Sequence, residues 1–143
     1  MRDIELEMKI QKSLNEGNNV WVVGDVHGFN QTLRSLVAKL DIKTGDYVVL
    51  LGDLIDRGPD SYDVIQFVKT SPNMATVKGN HEKMMAKVFS LSRLEKPDLR
   101  ISTWFYNGGL STATSYINAY TDSNGNENTQ ELHQAIEQDK LWI

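Results

Sequence analysis

The chain of 143 residues contains no cysteine, which excludes disulfides and thiolate metal sites and suits a reducing cytosol. It also lacks any apolar run approaching the roughly 20 residues that a membrane helix needs. Its first residues set Asp3, Glu5 and Glu7 among the apolar ones, so no signal-peptide core is present there. Positive charge is not in excess either. The formal net charge of -4 disfavours non-specific binding to nucleic acid or to an anionic membrane. No internal repeat or domain boundary interrupts the chain. What remains, 40% hydrophobic and 24% charged residues, is ordinary for a soluble globular protein. The expectation is a single domain over residues 1–143, cytoplasmic, with neither nucleic acid nor membrane as partner and the oligomeric state open.

Ile4, Leu6, Met8 and Ile10 alternate with Glu5, Glu7 and Lys9, which predicts an edge strand, although Leu6, Ile10 and Leu14 also share a helix face. Val20 to Val23 reads as the first buried strand. Leu33, Leu36, Val37 and Leu40 then fall at helical spacing, predicting an amphipathic helix over 30–40. Tyr47 to Leu51 is a second strand, and Pro59 and Asp60 mark the start of a helix through Val68. Met74 to Val77 is a third strand, followed by a helix with Met84 and Met85 as core filler. Strand, helix, strand, helix, strand is the pattern of a mostly parallel α/β sheet. Beyond it, Arg93 to Arg100 reads as a surface connection, and Trp104 to Gly109 as aromatics against a permissive turn. Ser111 to Asn118 reads as a helix and Thr121 to Asn128 as a polar loop. A second helix is capped by Thr129, and Leu141-Trp142-Ile143 looks like the start of another strand.

Each of the first three strands ends in a glycine-flanked polar loop. These are Gly24-Asp25-Val26-His27-Gly28, Gly52-Asp53-Leu54-Ile55-Asp56-Arg57-Gly58 and Gly79-Asn80-His81-Glu82. Loops at the carboxyl ends of parallel strands are where α/β proteins place ligand chemistry. Asp25, His27, Asp53, Asn80 and His81 offer oxygen and imidazole donors that suit a first-row divalent ion, with manganese, iron and zinc all fitting. A carboxylate on the middle strand could bridge two such ions about 3.5 to 4 Å apart, the geometry of two-metal phosphoester cleavage. Arg57 adds a planar fork of donors that matches phosphate oxygens.

With these three motifs the sequence resembles the metallophosphoesterase superfamily, and within it the phosphoprotein phosphatase family of serine/threonine phosphatases. The resemblance covers nearly the whole chain, and Trp104 to Gly109 is similar to a stretch in the small bacterial and bacteriophage members. It implies the N-terminal half of a metallophosphoesterase β-sandwich flanked by helices. It implies two divalent ions, manganese foremost, and a phosphoprotein or phosphopeptide substrate. Asp25 and His27 would hold the first metal, Asp53 would bridge both, and Asn80 would ligate the second and touch the phosphate. His81 would be the general acid for the leaving alkoxide, Asp56 the partner that orients it and favours its charged form, and Arg57 the phosphoryl-binding group. A metal-bridging water would attack phosphorus in line, without a phosphoenzyme.

Family members carry two further histidines on the second metal, and another phosphate-binding arginine, in a C-terminal half. Here the last residue is Ile143, and His133, the one later histidine, reads as a surface residue of a helix. The expectation is therefore a complete first site and a second with only Asp53 and Asn80, the chain being a truncated product, an expressed fragment or an inactive remnant. A dinucleoside tetraphosphate hydrolase of the same superfamily is the alternative activity. That branch tends to have glutamine for the first-motif histidine, lacks the Asp-Arg pair and ends its third motif in aspartate, so His27, Asp56-Arg57 and Glu82 point away from it. Glu82 is otherwise read as a favourable charge at a helix N-terminus, and Trp104 and Asn107 as structural.

Overall fold

The computed structural model describes residues 3–89 and 99–142. Its first element is helix α1, Ile4–Asn15, and not the edge strand that the alternation predicts. Asp3 decides the matter locally, accepting from the Leu6 backbone N–H as an N-cap, with Glu5 and Glu7 in the first turn. Leu6 and Ile10, four residues apart, are half-buried and Ser13 is buried, whereas Ile4 and Met8 face solvent. The period in use is that of a helix.

Three parallel strands follow: β1, Val20–Val23; β2, Tyr47–Leu50; and β3, Met74–Thr76. They form one sheet in the order β1-β2-β3, with Val22, Val49 and Ala75 in register. Val48 and Leu50 of the central strand are fully buried, as β-branched and large aliphatic residues on a covered face should be. Helices α2, Asn30–Lys39, α3, Ser61–Thr70, and α4, Asn80–Phe89, connect and follow the strands. The expected alternation of strand and helix is present. Because all three strands run the same way, the three polar loops leave the same edge of the sheet.

The remaining described residues form α5, Leu99–Trp104, a kinked turn at Phe105–Gly109, α6, Leu110–Ala119, and α7, Thr129–Trp142. Of the connection expected at Arg93 to Arg100, residues 93–98 lie outside the described residues, and Leu99 and Arg100 begin α5. The polar loop over Thr121 to Asn128 is closed by the Asp122 carboxylate, which accepts from the N–H groups of Asn124 and Asn126. Asn128, one residue before Thr129, supplies the cap of α7 by accepting from the Glu131 N–H. Of the strand expected at Leu141-Trp142-Ile143, Leu141 and Trp142 are instead the last turn of α7, and Ile143 lies outside the described residues. The helix is held to its end by Asp139, a buried carboxylate that accepts from the Tyr116 hydroxyl (2.8 Å), Gln66 Nε2 (2.9 Å) and Lys69 Nζ (2.9 Å). His133 is exposed on this helix, as expected.

That network carries a pH dependence. Burial, and then the neighbouring Asp139 charge, push the Tyr116 phenol well above its ordinary value. The folded chain thus holds this proton more tightly than the unfolded chain. The stabilisation is whole below pH about 10, the unfolded value, and declines as the pH climbs above it. Thermal melts above pH about 10 should show a falling Tm, and Tyr116→Phe should flatten that fall. Parallel alkaline slopes for the two proteins would contradict this assignment.

Candidate metal centre

Among the described residues, five that are not glycine have left-handed backbone, and four of them lie in the loops after β1 and β2: His27 (φ 47°), Asp53 (50°), Asp56 (72°) and Arg57 (69°). Each such residue costs about 1–2 kcal/mol, so the surrounding structure must impose them. It does so with a lattice of backbone hydrogen bonds. The Asp53 carbonyl accepts from Val26 N–H (3.1 Å) and His27 N–H (2.9 Å), and the Leu54 carbonyl accepts from Gly28 N–H (2.7 Å). The His27 carbonyl in turn accepts from Gly58 N–H (2.9 Å). The first and second loops are thereby one unit.

The third loop is fastened to the second by Glu82. This buried carboxylate accepts from the N–H groups of Asp53 (2.9 Å), Leu54 (2.8 Å) and Gly79 (2.9 Å), with Ile55 at 3.4 Å. It is more than the favourable helix-end charge read from sequence. Gly79 sits so close to Asp53 that a Cβ there would overlap its backbone nitrogen and carboxylate. The Asp53 carboxylate also accepts from the His81 N–H (3.1 Å). Asp53 therefore touches all three loops through its carbonyl, amide and side chain.

The side chains converge on the same point. His27 is buried and its Nδ1–H donates to the Ile55 carbonyl (2.9 Å), which makes Nε2 the lone-pair nitrogen. Among the described residues, buried Nε2 has no hydrogen-bond partner, and the exposed Asp25 carboxylate lies 3.5 Å from it. His27, Asp53 and His81 each bring a donor atom within 4.8 Å of the others, and the two imidazoles meet edge to face at 4.7 Å. A buried imidazole lone pair left without a donor is costly in a protein interior. A divalent cation satisfies it, and nitrogen with hard carboxylate oxygens is a donor set that first-row ions accept. The residues fit a metal.

His81, also buried, donates from Nδ1 to the Asp56 carboxylate (2.6 Å), and its Nε2 lies 3.4 Å from the Arg57 guanidinium. Arg57 is exposed, and Asn80 opens α4 at the surface. Asp25, His27, Asp53, Asp56, Arg57 and His81 are thus gathered at one edge of the sheet, with Asn80 beside His81 in the chain. Trp104, read from sequence as structural, and Thr112, which the sequence did not single out, both donate to Asp56. The one local signal for Trp104 is its place before the Gly108-Gly109 pair. The Asn107 side-chain amide donates to the Thr103 carbonyl of α5 (2.7 Å).

Residues 19–143 match the model of the calcineurin-like phosphoesterase family, a span that begins after α1. Among curated proteins the chain is 38% identical over 112 residues to serine/threonine-protein phosphatase 1 of Salmonella typhimurium, covering 76% of this chain and 46% of that one. It is 43% identical over 72 residues to serine/threonine-protein phosphatase 2 of Escherichia coli K12, covering 50% and 33%. It is also 38% identical over 86 residues to the symmetrical bis(5'-nucleosyl)-tetraphosphatase of Enterobacter sp. strain 638, covering 59% and 30%. The chain spans less than half the length of each of these relatives.

Proposed function

The chain belongs to the calcineurin-like phosphoesterase family, and from that premise we propose that it hydrolyses phosphoserine and phosphothreonine, and also phosphotyrosine, in phosphoproteins or phosphopeptides. The observation that carries this reading is the buried Asp56–His81 pair set beside the Arg57 guanidinium. Asp25, His27, Asp53 and Asn80 would hold the divalent ions, manganese before iron or zinc. When bound, these ions polarise the phosphoryl oxygens and acidify the attacking water.

The chain's own groups do the rest. Arg57, with up to five donors in a fixed plane, binds the phosphoryl oxygens. Because Asp56 accepts the Nδ1 proton of His81, the Nε2 edge faces the Arg57 side, where the phosphate would sit. Water adds to phosphorus and releases a proton to solvent, the bond from phosphorus to the alcohol oxygen breaks, and His81, acting as the doubly protonated imidazolium paired with Asp56, gives its Nε2 proton to the departing alkoxide. Burial of Asp56 and His81 keeps water from competing for that hydrogen bond.

The second reading, a dinucleoside polyphosphate hydrolase, is favoured by the tetraphosphatases among the relatives. Phosphate release from a phosphoserine peptide and from a bis(5'-nucleosyl) tetraphosphate, each with manganese, separates the two. We expect the peptide to be hydrolysed at least about 10-fold faster in kcat/KM, a difference of roughly 1.4 kcal/mol. A reversed order would select the second reading. No release from either substrate with manganese, iron or zinc would overturn both.

A further inference from the structure

Asp56 is fully buried, and its carboxylate is held by more than His81. The Trp104 indole N–H lies 3.1 and 3.0 Å from its two oxygens, and the Thr112 hydroxyl donates to Oδ1 at 2.7 Å. Thr112 Oγ1 also accepts the Asp56 backbone N–H (2.8 Å), so one side chain grips the left-handed residue at both ends. Next in the chain, the Arg57 N–H donates to the Gly108 carbonyl at 3.2 Å. Gly108 itself is left-handed (φ 103°), and a Cβ there would press on the Arg57 backbone and Cγ. Trp104 is buried and Gly109 lies flat against its ring. A single segment, α5 through the kink at Gly108 into α6, therefore touches both Asp56 and Arg57.

We propose that Trp104 and Thr112 are positioning residues for the Asp56–His81 pair, fixing the carboxylate so that the imidazole presents Nε2 to the leaving oxygen. The role rests on the reading of His81 as the proton donor. Trp104 and Thr112 touch neither substrate nor metal ligand in this scheme and act only through Asp56. Three hydrogen bonds converge on the two carboxylate oxygens, from an indole, a hydroxyl and an imidazole. With both outer donors in place the carboxylate cannot rotate, and His81 Nδ1 has one acceptor in one direction. Without them the carboxylate is free to turn, and the imidazole follows.

The test compares wild type, Thr112→Val, Thr112→Ser and Trp104→Phe. Proton–nitrogen NMR should show a slowly exchanging His81 Nδ1–H in wild type and in Thr112→Ser. Its exchange should be at least roughly 10-fold faster in Thr112→Val and in Trp104→Phe, the latter serving if the valine variant does not fold. For a phosphoserine peptide, whose alkoxide needs a proton, kcat should fall roughly 10- to 100-fold with KM little changed. For p-nitrophenyl phosphate, whose leaving group needs little help, kcat should fall less than about threefold. An equal loss on both substrates, an unaltered His81 Nδ1–H in both variants, or no slowly exchanging Nδ1–H in wild type would overturn the proposal. If wild type turns over neither substrate, the phosphatase reading fails, while the NMR comparison still decides the positioning.

Discussion

Replacing Asp53 with asparagine is expected to lower metal-dependent phosphoester hydrolysis by roughly 10³-fold or more, while leaving the fold close to intact. Asp53 stands at the end of the central strand and is the residue that all three loops share. Its carbonyl orders the first loop through Val26 and His27, its N–H is fastened to Glu82, and its carboxylate meets the third loop at the His81 N–H. Asparagine preserves most of this. It tolerates a left-handed φ, here 50°, better than most residues, and its amide oxygen can still accept from His81. What it removes is a negative charge within 4.8 Å of two imidazoles, at the point where a divalent cation would be held.

Isothermal titration with manganese should therefore show affinity weakened at least about 10- to 100-fold in Asp53→Asn. The Tm of the ion-free proteins should agree within about 3 °C, corresponding to less than roughly 1 kcal/mol. Unchanged manganese affinity would remove Asp53 from the centre. A large fall in Tm would show that its charge serves the fold instead.

The parts of this architecture visible in the sequence are those written locally. Val20 to Val23, Tyr47 to Leu50 and Met74 to Thr76 are β-branched or apolar runs closed by glycine, so their strand character needs no distant partner. Once they pair in parallel, their carboxyl ends share an edge, which is why three separate loops could be read as one site. At the N-terminus the local pattern was ambiguous. Ile4 to Ile10 satisfies both periods, and the Asp3 cap with half-buried Leu6 and Ile10 selects the helix. At the other end, Leu141 and Trp142 suggest a strand only when Asp139 is overlooked. Its three partners, Gln66, Lys69 and Tyr116, lie 73, 70 and 23 residues away. Trp104 reaches Asp56 across 48 residues. Such long-range polar contacts leave no periodicity behind, and an aromatic residue before two glycines is a faint sign of an indole aimed at a carboxylate.

Glu82 belongs to the same class, and its removal is expected to have the largest effect on stability. Its carboxylate is fully enclosed and accepts from four backbone N–H groups, three of them in the run Asp53-Leu54-Ile55 and the fourth in Gly79. Truncation to alanine would leave these donors facing a small cavity. Each buried donor without an acceptor costs about 1–3 kcal/mol, reduced where water can enter. A total loss of about 3 kcal/mol or more follows, equivalent to a Tm lower by roughly 10 °C for a chain of this size. Glutamine keeps one acceptor oxygen but turns an –NH₂ towards the remaining donors, so Glu82→Gln should lose a smaller but still measurable part. Because the same four bonds hold Asp53 in its left-handed conformation and Gly79 against it, metal affinity should weaken along with Tm in both variants, alanine more than glutamine. Differential scanning calorimetry and manganese titration on the same samples provide the check. A Tm within about 2 °C of wild type for Glu82→Ala would mean that the second and third loops hold their shape without this carboxylate, leaving the strain at Asp53, Asp56 and Arg57 to be carried by the α5–α6 segment and by the backbone bonds to the first loop.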